Sequence, residues 1–225
     1  MDFNPALIIV DMQNDFVTPE FAGHLPGATS IIPNINELLS DNFKWDYTVA
    51  TKDLHPADHA SFRTSHGPSV KPKGTVIEIN AHGKTYKQQL WLSHCVNGTA
   101  GAEFHPDLRM DKVDFILPKG TDTLVESYSG FYDAIGRDNG LKKMLDERNI
   151  TDIFVVGVAG DVCVRDTALH AKEHYRTYVI EDGICMSTEE SGQKTLREFH
   201  DAGISLIKMN DPLLEFVKNR TKSSN

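Results

Sequence analysis

Residues 154–164 read Phe154-Val155-Val156-Gly157-Val158-Ala159-Gly160-Asp161-Val162-Cys163-Val164, and the fold follows from them. A short apolar run ends in a tight glycine turn, and a cysteine falls where a helix begins. A run this uniformly apolar suits a strand covered on both faces, which places it in a parallel sheet sheathed by helices. Downstream the pattern continues as a helix over Val162–Glu173, a strand over Tyr178–Ile180, a helix over Glu189–Ala202 and a strand over Ile204–Ile207. A last helix spans Asp211–Lys218, with Pro212 in its first turn. Upstream, Ala6–Val10, Tyr47–Thr51 and Val113–Leu117 read as strands. Thr29–Ser40 places Ile31, Ile32, Ile35, Leu38 and Leu39 at helical spacing, and Asp138–Arg148 turns Leu141, Met144 and Leu145 inward. The alternation predicts an α/β fold: a doubly wound, mostly parallel sheet between two helical layers, Rossmann-like in plan. Residues 54–105 interrupt it with many His, Pro, Gly and Ser, and are expected to form a long active-site loop region. No repeat or linker divides the chain, so one domain is expected over 1–220, with a frayed end at 221–225.

The 225 residues carry a net charge of −9. No Lys/Arg cluster offers a nucleic-acid surface, and no apolar run approaches a membrane span. The opening Met1-Asp2-Phe3-Asn4-Pro5 lacks the features of a secretory leader. The three cysteines, Cys95, Cys163 and Cys185, are odd in number and widely spaced, which suits a reducing compartment. A cytoplasmic home is expected, with peroxisome and nucleus left open, although Ser223-Ser224-Asn225 is not the usual peroxisomal tripeptide.

In open parallel sheets ligands bind beyond the carboxyl ends of the strands. Asp11, Asp53, His55, Lys119 and Cys163 all follow predicted strands. A helix start favours a thiolate at Cys163, whose other reading is a small buried cysteine. Asp11 could take the thiol proton and return it to a leaving amine, while Lys119 fixes the charges of both. In Lys52-Asp53-Leu54-His55, residues two apart point the same way in extended chain, so Asp53 and His55 could share a metal ion, with His94 as a third ligand. Cys95 is set aside as a ligand because adjacent residues point apart. His59 reads either as a support for that site or as the start of a helical turn. His24, His66, His82, His105, His170, His174 and His200 have no constellation around them.

The segments IIVDMQNDF, LPKG and GVAGDVCV resemble the Asp–Lys–Cys motifs of cysteine amidohydrolases with the isochorismatase-like fold, over residues 6 to about 207. The resemblance implies that Cys163 attacks a carboxamide carbon, ammonia leaves, and water hydrolyses the thioester. It implies a cis peptide at Val158–Ala159 and an oxyanion hole formed by the N–H groups of Ala159 and Cys163. Val162 departs from the aromatic that relatives often carry before the cysteine.

KDLHPADHASF and WLSHCVNGT further resemble the nicotinamidase branch of that family, with Leu92 in place of a usual proline. That likeness implies one divalent ion, zinc foremost with manganese or iron as alternatives, on Asp53, His55 and His94. Glu126, seven residues after Lys119, is a fourth ligand candidate, its other reading being a surface carboxylate in a loop. Phe16 and Trp91 match ring-contacting positions, and Tyr128 joins them by its closeness to Glu126; core packing is the alternative for each. The implied reaction is nicotinamide and water to nicotinate and ammonia in NAD salvage, with pyrazinamide also accepted. The competing readings are an amidohydrolase for a non-aromatic amide or carbamoyl group and a non-catalytic pyridine-binding scaffold. Monomer and homo-oligomer are both open, and Pro68–Gln89 reads as a flap or a subunit contact.

Overall fold

The computed structural model describes residues 2–21, 23–67 and 72–221. Most of the end expected to fray, 222–225, and positions 68–71 of the 68–89 segment lie outside the described residues. Six strands form one sheet: β1 (Pro5–Val10), β2 (Tyr47–Asp53), β5 (Phe115–Lys119), β6 (Asp152–Gly157), β7 (Arg176–Ile184) and β8 (Ser205–Ile207). Their order is β5-β2-β1-β6-β7-β8, and every pairing is parallel. Ala6–Val10 are wholly buried. Alternation sends Leu7 and Ile9 to one face of the sheet and Ala6, Ile8 and Val10 to the other.

The first face is covered by α2 (Ile32–Leu38) and α6 (Pro212–Asn219), through Ile35, Leu38, Leu214 and Val217. The second is covered by α3 (Leu141–Asp146), α4 (Cys163–Lys172) and α5 (Glu189–Asp201), through Leu145, Val164, Ala168 and Phe199. This is the doubly wound, three-layer arrangement that the alternation of elements predicted. A short α1 (Asn14–Val17) follows β1, and the helix expected from Thr29 begins instead as a 3₁₀ turn at Ala28–Ile31.

Two features depart further from expectation. The 54–105 region is not all loop. It holds an antiparallel hairpin, β3 (Val76–Ala81) and β4 (Lys84–Gln89), whose Ile79, Ala81 and Tyr86 pack with Ala60, Val125 and Ile135. Its two-residue turn is His82-Gly83, both at positive φ, the geometry that fits the twist of paired strands. Strand β7 is also longer than predicted, with its register against β6 slipping between Val155 and Gly157. Gly157 sits at φ +117, and a Cβ there would lie 2.1 Å from the Val10 carbonyl oxygen, so only glycine lets β6 end against β1. Successive strands are added outward in one direction from β1 and in the other from β6, and the ends of β1, β2, β5 and β6 converge at this switch point. Among the described residues no helix is long and apolar enough to cross a membrane.

Candidate active site

Asp11, the residue after β1, has φ 50 and is fully buried. Thr51 of β2 holds it: the Thr51 hydroxyl donates to Asp11 Oδ1 at 2.6 Å and accepts from the Asp11 amide at 3.2 Å. Lys119, the last residue of β5, reaches across the strand ends. Its Nζ lies 2.8 Å from Asp11 Oδ2, 2.5 Å from Asp53 Oδ1, 3.0 Å from the Ser127 carbonyl and 3.6 Å from Cys163 Sγ. Ligand atoms of Asp11, Asp53 and Cys163 lie within 4.8 Å of one another. Three side chains more than forty residues apart in sequence thus meet around one sulfur.

Their electrostatics are unequal. Burial pushes the Asp11 carboxyl up to about 6, with Lys119 opposing and Asp53 adding to the rise. Burial acts on Asp53 too, but Lys119 and the neighbouring histidines outweigh it and hold the group well below the usual carboxylate range. Lys119 stays charged, since its two carboxylate partners overcome the cost of burial. The Cys163 thiol is pushed well up by burial, with Lys119 opposing and the nearby Asp11, Asp53 and Glu126 adding to the rise. The helix start was expected to favour a resting thiolate. The buried, acid-rich surroundings favour the thiol, which needs a base beside it, and Asp11 is the carboxylate nearest to titrating.

Beside this cluster stands a second one. His55 Nε2 lies 3.5 Å from Asp53 Oδ2 and 4.0 Å from Glu126 Oε1, and His94 Nε2 lies 3.8 Å from Asp53 Oδ2. Each ring is oriented by its other nitrogen: His55 Nδ1 pairs with the Gly120 carbonyl at 2.9 Å, and His94 Nδ1 with the Leu92 carbonyl at 2.7 Å. An Nδ1–H donated to a carbonyl leaves Nε2 with its lone pair, the form a metal takes. His55 Nε2 and Glu126 Oε2 are buried with no hydrogen-bond partner. Burial would lower the His55 pKa, but Glu126 and Asp53 pull it up to about 9. The carboxylates therefore demand positive charge at this point, and a divalent cation meets that demand with the donor set present. Glu126 is buried, not a surface carboxylate, and Ser127 N donates to its Oε1 at 2.7 Å. His59 stacks on His55 with ring centroids 4.2 Å apart and groups with His55 and Glu126, so it supports this cluster from behind.

A cavity of about 100 Å³ opens over both clusters. Cavities of ~150 Å³ accept a benzene ring, so this one is on the scale of one aromatic ring. Phe16, Trp91 and Tyr128 line it together with Asp53, His94, Ala159 and Cys163. The Val158–Ala159 peptide is cis. Among the described residues neither the Ala159 amide nor the Cys163 amide donates to a protein acceptor, whereas Val162 and Val164 both donate to the Ala159 carbonyl.

Residues 5–211 match the family described as the isochorismatase domain. The chain belongs to that family. Within it, the chain is 54% identical over 218 residues to a nicotinamidase of Schizosaccharomyces pombe, covering 97% of this chain and 99% of the relative. A solved nicotinamidase and pyrazinamidase structure from Acinetobacter baumanii superposes with a TM-score of 0.85 at 37% identity, covering 94% of this chain and 99% of that one. A pyrazinamidase of Pyrococcus horikoshii, solved in complex with zinc, gives a TM-score of 0.71 at 33% identity over 91% of this chain and 99% of its own.

Several residues that hold the candidate site together escape a reading of the sequence alone. Thr51 looks like an ordinary strand residue, yet it anchors Asp11. Gln13, wholly buried, donates from Nε2 to the Asp53 and Ala102 carbonyls at 2.7 and 2.9 Å and accepts from the Asp53 amide at 2.8 Å. Gln88 of β4 donates to the Tyr128 hydroxyl at 2.8 Å, as does Trp91 Nε1. Only Gln13 left a trace in the sequence, as a polar residue inside the Asp11-Met12-Gln13-Asn14-Asp15 run that follows the apolar β1.

Proposed function

We propose that this chain hydrolyses nicotinamide to nicotinate and ammonia through a thioester on Cys163. The observation that carries the reading is the meeting of Asp11, Lys119 and Cys163 at the floor of a ring-sized cavity beside an ion-ready cluster. High identity to curated nicotinamidases supports the same substrate.

Phe16, Trp91 and Tyr128 would hold the flat ring, which fixes the carboxamide over the sulfur and contributes chiefly by positioning. As Sγ attacks the carbonyl carbon, the thiol proton passes to Asp11. The carbonyl electron pair moves onto oxygen, where the free N–H groups of Ala159 and Cys163 would receive it. Asp11 then gives its proton to the amide nitrogen, the carbon–nitrogen bond breaks, and ammonia departs. In the second half Asp11 takes a proton from water as the water oxygen attacks the thioester. The carbon–sulfur bond breaks, the proton on Asp11 returns to Sγ, and the nicotinic acid formed gives its own proton to the released ammonia or to solvent, leaving nicotinate. Lys119 keeps Asp11 and Asp53 in place and offsets the charge that builds beside the sulfur.

Asp53, His55 and His94, with Glu126 as a fourth donor, would hold one divalent ion, zinc first and manganese or iron as alternatives. Bound there, such an ion supplies an electron-pair acceptor for a ring nitrogen. Pyrazinamide presents a ring nitrogen in the same relation to its amide and is expected to turn over as well. The product would enter NAD salvage, and the three free, buried cysteines favour a reducing, cytoplasmic setting. The test is ammonia release from nicotinamide: the chain releases it, and Cys163→Ala abolishes release with the fold intact by circular dichroism. Substantial turnover by Cys163→Ala refutes the covalent route.

A further inference from the structure

The turn that carries the nucleophile is clamped from outside. Asp161, two residues before Cys163, accepts at Oδ1 from the Ser187 amide at 2.8 Å. Its Oδ2 accepts from the hydroxyls of both Ser187 and Ser191. Gly160 donates its amide to the Cys185 carbonyl at 2.7 Å. Three of the four bonds run to the link from β7 into α5 and the fourth to Ser191 in the first turn of α5, and Thr188 ties the two together by capping α5 through the Ser191 amide at 3.1 Å. The carboxylate touches neither the cavity floor nor the ion cluster, so the reaction as derived above leaves it without a task.

What it holds is the backbone between the two free amides. Ala159 and Cys163 are four residues apart, and the turn between them is closed internally only on the Ala159 carbonyl. Hydrogen bonds to a charged acceptor are about twice as strong as neutral ones, and here a charged acceptor gathers an amide and two hydroxyls. Ser187, held by the same carboxylate, also lines the cavity. We propose that Asp161 is a positioning residue: by tying the turn to Ser187 and Ser191, it fixes the Ala159 and Cys163 amides where the developing oxyanion needs them.

The proposal rests on the hydrolytic reading above and predicts which kinetic constant moves. Oxyanion donors act in the transition state, and losing one outright costs about 10²–10³ in kcat. Loosening two without deleting either should cost Asp161→Ala roughly 10–100-fold in kcat, with KM changed by less than about threefold. Asp161→Asn keeps the shape and one acceptor oxygen and should recover part of the loss. Ser191→Ala, which leaves Asp161 its two bonds to Ser187, should lose less than Asp161→Ala and serves if that variant folds poorly.

The discriminating probes are pyridine-3-carboxaldehyde and nicotinate. Cys163 Sγ adds to the aldehyde carbon while the thiol proton ends on the former carbonyl oxygen, giving a thiohemiacetal whose oxygen occupies the oxyanion position. Aldehyde affinity should fall in parallel with kcat, while nicotinate affinity, measured by calorimetry, holds. Unchanged kcat and aldehyde affinity in the variants overturn the proposal, and so does an equal loss of kcat, aldehyde affinity and nicotinate affinity, which marks general collapse of the pocket. If the parent chain releases no ammonia from nicotinamide, the hydrolytic reading fails instead, and the aldehyde comparison still reads the clamp.

Discussion

Replacing Thr51 by valine removes one hydroxyl, adds a methyl of similar size, and leaves every residue that would touch substrate in place. The Thr51 hydroxyl is wholly buried and donates to Asp11 Oδ1 at 2.6 Å. A hydrogen bond to a charged group is worth about 1.5–3 kcal/mol, and one pKa unit corresponds to about 1.4 kcal/mol. The donor favours the ionised carboxylate, so its loss raises the Asp11 pKa by about 1–2 units. Starting from about 6, the group moves to roughly 7–8. Asp11 must be ionised to accept the thiol proton, so the acid limb of kcat/KM shifts to higher pH by the same amount. At pH 7 the ionised fraction, and with it kcat/KM, falls about two- to tenfold, and the deficit closes as pH rises above about 9. The assay is steady-state ammonia release from nicotinamide between pH 5 and 9.5, with Thr51→Ser, which keeps the hydroxyl, as the control. An acid limb that stays put in Thr51→Val, or a deficit that persists unchanged at high pH, refutes Asp11 as the titrating base.

Chelation should suppress activity, with recovery on adding Zn²⁺, Mn²⁺ or Fe²⁺; full activity in a metal-free preparation would remove the ion from the account. Glu126→Gln should weaken ion affinity about 10–100-fold, read by competition with a chromogenic chelator, and unchanged affinity would return Glu126 to a purely structural part. Gly120 has φ +66, and a Cβ there would sit 2.4 Å from His55 Cε1. Gly120→Ala should therefore both cost about 1–3 kcal/mol in thermal unfolding and lower ion content, while a wild-type melting curve would contradict the packing. Gln88→Ala frees one of the two donors on the Tyr128 hydroxyl. It should raise KM for nicotinamide several-fold, on the order of 1 kcal/mol, with kcat little changed; a selective fall in kcat would mean that Tyr128 does more than hold the ring.

The strands of the main sheet, the helices that cover it and the charged residues at strand ends were legible from residue order alone, because each is a local signal. A run such as Leu7-Ile8-Ile9-Val10 has one cheap fate, burial on both faces, and a carboxylate or lysine directly after such a run must find a partner at the sheet's edge. The hairpin was hidden because His82-Gly83 replaces the usual Asn-Gly turn and because its outer face is polar, so Val76–Gln89 reads as loop. Tertiary structure alone decided how the reacting groups are aimed and charged. The hydrogen bonds of Thr51 to Asp11, Gln13 to Asp53 and Gln88 to Tyr128 each span forty residues. No periodicity encodes a bond of that span, because its energy depends on three-dimensional closeness and not on spacing along the chain. The protonation of Cys163 is of the same kind: a helix start favours a thiolate locally, while burial beside acidic groups from three other elements of the chain reverses the preference.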